Sequence, residues 1–158
     1  MRRHRLTCAL LVTALLGSGC TAPAPASQVD GPPGDLKARA ATLFEAYSRA
    51  IVTPHRDSIA GFYHPRGALR VINGVSRRLS RAALDSSYRG PWSPPAYFSF
   101  DSLAFDSIAP DQVIVTGGFR WQSRGQPDTA RYLYAGLLEV VGSGLFIRFE
   151  HETARPPR

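Results

Sequence analysis

The second half of this chain alternates four β-rich runs with turn clusters, and that pattern restricts the fold more than any other feature. The runs are Tyr97 to Ile108, Val113 to Ser123, Ala130 to Val141 and Leu145 to Thr153. Each is rich in β-branched and aromatic residues, which pack well on a pleated, half-buried surface. Between them stand Pro110-Asp111, Arg124-Gly125-Gln126-Pro127-Asp128 and Gly142-Ser143-Gly144. These are turn formers at hairpin spacing, so the runs predict an antiparallel meander. Gly117-Gly118 falls inside a run, where glycine marks a bulge or bend.

The layer that must cover such a sheet precedes it. Leu36, Ala40, Leu43, Phe44, Tyr47 and Ile51 recur at three- and four-residue steps and predict an amphipathic helix. Thr53, Pro54 and Asp57 then signal a second helix start, and Ile59, Phe62 and Tyr63 share one of its faces. Gly67 to Ile72 reads as a short strand ending at an Asn73-Gly74 turn, and Ser80 caps a third helix through about Ser87. The class is α+β: three N-terminal helices packed on a curved, mainly antiparallel sheet over residues 35–154, with a tail at 155–158.

Upstream, Met1-Arg2-Arg3-His4-Arg5 is basic, Leu6 to Leu16 is apolar, and Gly17-Ser18-Gly19-Cys20 is small. Those are the three parts of a secretory signal, 1–19. The apolar run is too short for a bilayer core of about 30 Å. Residues 20–34 hold Pro23, Pro25, Pro32 and Pro33 among Ala, Ser and Gly and read as a tether. The segment resembles a bacterial lipoprotein signal, which implies a lipid on Cys20 and a membrane-anchored protein of the cell envelope. It departs from that pattern in carrying Gly17 where Leu is preferred. Ordinary cleavage after Ala26 is the alternative and would give a secreted chain. Cys8 would leave with the signal, so the mature domain has no disulfide and folds on its apolar core alone.

Net charge is +7, but from Cys20 onward 16 Lys+Arg against 12 Asp+Glu leave +4. The one basic cluster, Arg77-Arg78-Leu79-Ser80-Arg81, reads as a solvated loop. No aromatic residues interleave it, so nucleic acid is not an expected partner. His55, His64 and His151 show no paired ligand spacing, so neither a metal site nor another cofactor is expected.

Leu43-Phe44-Glu45-Ala46-Tyr47, Ile59-Ala60-Gly61-Phe62-Tyr63, Gly74 with Ser80-Arg81-Ala82-Ala83-Leu84, and Leu145 to Thr153 resemble the NTF2-like superfamily. The branch is that of SnoaL-like and ketosteroid-isomerase-like domains. The resemblance implies a cone-shaped cavity between helices and sheet. Some members isomerise steroids, cyclise polyketides or dehydrate small rings there, and others only bind. Steroid isomerisation needs a carboxylate base and two oxyanion donors, a Tyr and a protonated Asp. By the resemblance the donor Tyr falls on Tyr47, but the base falls on Val71. Ala130 to Leu138, where the donor Asp belongs, holds no carboxylate.

Strand alternation places Leu145, Ile147, Phe149 and His151 on the core face. His151 is therefore the strongest polar candidate for a base or donor in the cavity, or else a core histidine bonded to backbone. Tyr47, Tyr63, Trp121 and Tyr134 are candidate pocket residues, with plain core packing as their alternative. Asp101 and Asp106, an odd number of residues apart, are expected on opposite faces and in solvent. With no acid expected inside the cone, the sequence favours non-catalytic binding of a small apolar ligand or a partner protein. The alternative is an isomerase, cyclase or dehydratase using His151 and Tyr47. Pairing of two copies through the sheet's outer face is a further possibility.

Overall fold

The computed structural model describes residues 35–53, 56–90 and 93–156. The signal, Cys20, the tether, Pro54 and His55 lie outside them. Helix α1, Leu36–Val52, starts where the Asp35 carboxylate accepts from the Ala38 N–H at 2.9 Å. Its buried face carries Leu36, Ala40, Leu43, Phe44, Tyr47 and Ile51, the stripe read from the spacing. The second helix is a 3-10 helix, Arg56–Phe62, rather than an α-helix. It is seven residues long and contains Ser58 and Gly61, both poor helix formers, and short segments take the tighter helix readily. Tyr63 lies just past its end and bridges to Ile147.

Strand β1, Ala68–Ile72, turns through Asn73 and Gly74 into β2, Val75–Leu79. Both turn residues have positive φ, 48° and 81°, which this tight hairpin requires and Asn-Gly supplies. The cluster expected as a loop, Arg77 to Arg81, is therefore mostly an edge strand, and its charged side chains discourage edge pairing. Helix α2, Arg81–Arg89, follows the Ser80 cap and buries Leu84 and Tyr88. Among the described residues, α1 and the 3-10 helix precede the first strand, and α2 follows β2.

Strands β3 (Tyr97–Ala109), β4 (Gln112–Gln122), β5 (Ala130–Val141) and β6 (Gly144–Ala154) complete one six-stranded sheet in the order β2-β1-β6-β5-β4-β3. All neighbours are antiparallel except β1 and β6. The core lies between the helices and one sheet face, with Phe44 at its centre against Phe100, Phe105 and Tyr134. Phe100 and Phe105 are five residues apart yet share this face. A register shift between Asp101 and Ala104 inserts one residue and reverses the alternation. Asp101 and Asp106 thus share the other parity, against the odd-spacing expectation. Asp101 pairs with Arg120 at 2.9 Å and Asp106 with Lys37 at 3.4 Å. Among the described residues no helix is long and apolar enough to cross a membrane.

Candidate functional site

A second bulge builds the site. On β6, Phe149 lies opposite Leu137 but Ile147 lies opposite Leu138, so Arg148 is an extra residue. Beyond it the inward and outward positions exchange. Leu145 and Ile147 are buried as expected, but the next buried residue is Glu150, and Glu152 faces the same side. His151 is displaced to the outer face, level with Val71 and Ala135, where its Nε2 lies 3.2 Å from the Thr153 hydroxyl. The expectation that His151 points into the cavity is therefore corrected, as is the expectation of an acid-free interior. Val71 also faces outward, so its neighbours Arg70 and Ile72 carry the inner row.

Glu150 is fully buried at the centre of a polar network. The Arg70 Nε and the Tyr63 hydroxyl, the latter at 2.8 Å, both donate to its Oε1. A tyrosine has one O–H to give, so Tyr63 can only accept from Tyr47 at 3.0 Å and Tyr88 at 3.1 Å. Those two hydroxyls turn their protons toward Tyr63 and leave their lone pairs available. Burial, reinforced by Glu150, holds the Tyr47 and Tyr63 pKa values well above the usual phenol value, and burial raises that of Tyr88 against the pull of Arg70. All three stay protonated. Burial works against the charge of Arg70, but Tyr63 and Glu150 outweigh it and raise its pKa.

In front of this network lies a cavity of about 280 Å³. Tyr47, Arg56, Arg70, Tyr88, Tyr134 and Glu152 form its polar part, and Phe98, Phe100, Phe119, Trp121 and Tyr132 form an aromatic wall. Phe119 and Tyr132 stack at 4.6 Å with rings 5° apart. Exposed Ile72 and Asn73 lie at its rim. Of the sequence candidates, Tyr47, Trp121 and Tyr134 line this cavity, Tyr63 stands behind it, and His151 is on the other side of the sheet.

The Tyr134 hydroxyl and Glu150 Oε2 are buried here with no hydrogen-bond partner among the described residues. Tyr134 leans over Gly136, where an added Cβ would lie 2.9 Å from its hydroxyl oxygen. The glycine is what lets that hydroxyl reach its place. Burial first, and the neighbouring Glu150 second, push the Glu152 carboxyl up to about 7, against the pull of Arg70. A carboxyl at that value can both take and give a proton near neutrality.

Sequence reasoning missed Arg56, Arg70, Glu150 and Glu152. Arg148, Glu150 and Glu152 alternate like the solvent row of an ordinary amphipathic strand, and nothing local marks the bulge. Among the described residues, no three His, Cys, Asp or Glu side chains come together as metal ligands.

No family profile and no curated protein matches this sequence. Solved structures do match in shape. A Xanthomonas campestris protein provisionally described as a calcium/calmodulin dependent protein kinase II association domain superposes with TM-score 0.62 at 18% identity, over 84% of this chain and 98% of its own. A Parabacteroides distasonis protein provisionally described as a ketosteroid isomerase gives 0.63 at 9% identity, over 78% and 91%. An NTF2-like protein from Cytophaga hutchinsonii gives 0.62 at 10% identity, over 77% and 99%. The fold is that of NTF2-like proteins.

Proposed function

We propose that this chain is an acid–base catalyst of the isomerase, cyclase or dehydratase kind, acting on a small, flat, largely apolar molecule in the cavity. The observation that carries the reading is Glu152: a carboxylate inside the aromatic cavity, beside Tyr47 and Tyr134, with its proton exchangeable near pH 7. Perturbed groups of this kind concentrate at functional sites. Glu152 moves the proton. The Tyr134 hydroxyl, buried and with its hydrogen uncommitted, donates to the oxygen on which charge develops. Arg70 and Glu150 hold the tyrosines in place. A fold shared with a protein described as a ketosteroid isomerase agrees with this reading.

Hydrogen–deuterium exchange next to the carbonyl of 2-tetralone, followed by NMR, tests it. The chain should accelerate exchange over buffer, Glu152→Gln should lose at least tenfold, and His151→Ala should keep the rate. No acceleration, or equal acceleration by Glu152→Gln, contradicts the proposal.

Non-catalytic binding in the same cavity is the second reading. It is favoured by Tyr47, whose proton goes to Tyr63 rather than to a ligand.

We also propose export with a lipid on Cys20, and pairing of two copies. Residues 1–19 support the first through their basic, apolar and small segments, and the mass of the mature chain tests it. The second is supported by Ile114, Leu133 and Val141 on the outer sheet face, 38–44% exposed, and by the association-domain relative in shape. Sedimentation of Leu133→Lys against the parent chain tests that pairing.

A further inference from the structure

We propose that the molecule held in this cavity is an anion: a flat, unsaturated carboxylate bound between Arg56 and Arg70, with its apolar body against Phe98, Phe119, Trp121 and Tyr132. This deepens the reading of the cavity as a ligand site and names its substrate class.

The cavity is asymmetric. One wall carries rings and no charge. The other carries two guanidinium groups from different elements, Arg56 at the start of the 3-10 helix and Arg70 on β1. Both line the cavity and both lie against the Tyr88 ring, Arg56 at 4.9 Å and Arg70 at 6.0 Å from its centroid. Arg77 on edge strand β2 stands in register beside Arg70 and adds positive charge on that side. Burial first, and the repulsion from Arg70 with it, disfavour the charge on Arg56 against the opposing pull of Tyr88. An anion seated between the two would relieve that repulsion. A carboxylate suits the planar fork of guanidinium, which binds it through two parallel N–H donors. The volume, about 280 Å³, belongs at the small end of ligand cavities and admits one or two fused rings.

Glu152 stands between the two walls and makes binding depend on pH. The groups facing it are Tyr47 from α1, Arg56 from the 3-10 helix, Arg70 from β1, Tyr88 from α2, Tyr134 from β5 and Glu150 on its own strand. The tyrosines stay protonated and the arginines stay charged, so the step near neutrality belongs to Glu152. Protonated, it donates to the ligand. Ionised, it repels it. An anion therefore binds with proton uptake.

Calorimetry of the full-length chain with 2-naphthoate and its neutral analogue 2-naphthamide, at pH 6 and pH 8, tests the inference. Naphthoate should bind at least tenfold more tightly than naphthamide at pH 6, and that preference should shrink severalfold at pH 8. Arg56→Gln should lose the preference while keeping the circular dichroism spectrum and melting temperature of the parent chain, which shows that the fold is intact. Glu152→Gln should keep the preference and lose its pH dependence. Equal binding of the two probes, no binding of either at millimolar concentration, or an unchanged preference in Arg56→Gln overturns the proposal. Failure of the acid–base reading appears separately, as ketone exchange unaffected by Glu152→Gln, and leaves these binding outcomes in force.

Discussion

Two polar clusters flank the Arg148 bulge on β6, and they differ in what they leave unsatisfied. On one side, the His64 Nε2 and the Arg148 Nε each lie 3.6 Å from Glu139 Oε2. Arg148 also donates to the Gly67 carbonyl, and the Arg66 N–H donates to His64 Nδ1 at 2.9 Å. These groups engage one another, and none lines the cavity. They clamp the start of β1 to the bulge. On the other side, the Tyr134 hydroxyl lines the cavity with no hydrogen-bond partner among the described residues, and Glu150 Oε2 is buried behind it without one. Both clusters hold charge at least partly out of water. Only the second keeps hydrogen-bonding capacity in reserve for something outside the chain. Buried charge by itself marks a clamp as readily as a site.

The comparison breaks most sharply at its two acids. Glu150→Gln leaves Arg70 buried without its counter-charge and should cost about 3 kcal/mol in urea denaturation. Glu139→Gln removes a partly exposed acid from longer contacts and should cost at most about 1 kcal/mol. Equal costs would erase the distinction. Gly136→Ala puts a methyl group against Tyr134 and should cost about 1–2 kcal/mol while closing the cavity. Its crystal structure should show the Tyr134 ring displaced.

The pH dependence of stability separates the clusters by sign. The pKa of His64 is lowered, by burial first and by Arg148 next, against Glu139. The unfolded chain therefore binds its proton more readily, so the stability His64 confers is present above its usual 6.5 and is lost as pH falls. Glu152 is raised, so its contribution is complete below the usual 4.5 and is lost as pH rises through about 7. Thermal melts should show stability falling on both limbs, and Glu152→Gln should flatten the neutral limb alone. The smallest expected effect is on Tyr134→Phe. Removing a buried hydroxyl without a partner should leave stability unchanged or raise it by about 0.5 kcal/mol, while proton transfer slows.

How far the sequence carries this account depends on periodicity. The α1 stripe, the Asn73-Gly74 hairpin, the Ser80 cap and the four long strands were legible, because each rests on local spacing or a local turn. Of the rings that line the cavity, the sequence singled out Tyr47, Trp121 and Tyr134 but not Phe98, Phe100 or Phe119. The acids were not legible. One inserted residue at Arg148 exchanges His151 for Glu152, and alternation carries no trace of a bulge. The insertion near Ser102 likewise turns Phe105 inward. The Arg70–Glu150 pair depends on a parallel contact between β1 and β6, eighty residues apart in the chain. Separation of that size leaves no pattern in a single sequence.

The most direct test of the account is the titration of Glu152 itself, followed through the carboxyl carbon signal of protein labelled with carbon-13 at glutamate and assigned with Glu152→Gln. A midpoint near pH 7 is the result expected of a carboxyl turned into the aromatic cavity beside Glu150. A midpoint near the ordinary 4.5 would place that side chain in water and contradict both the inward turn of β6 and the chemistry built on it.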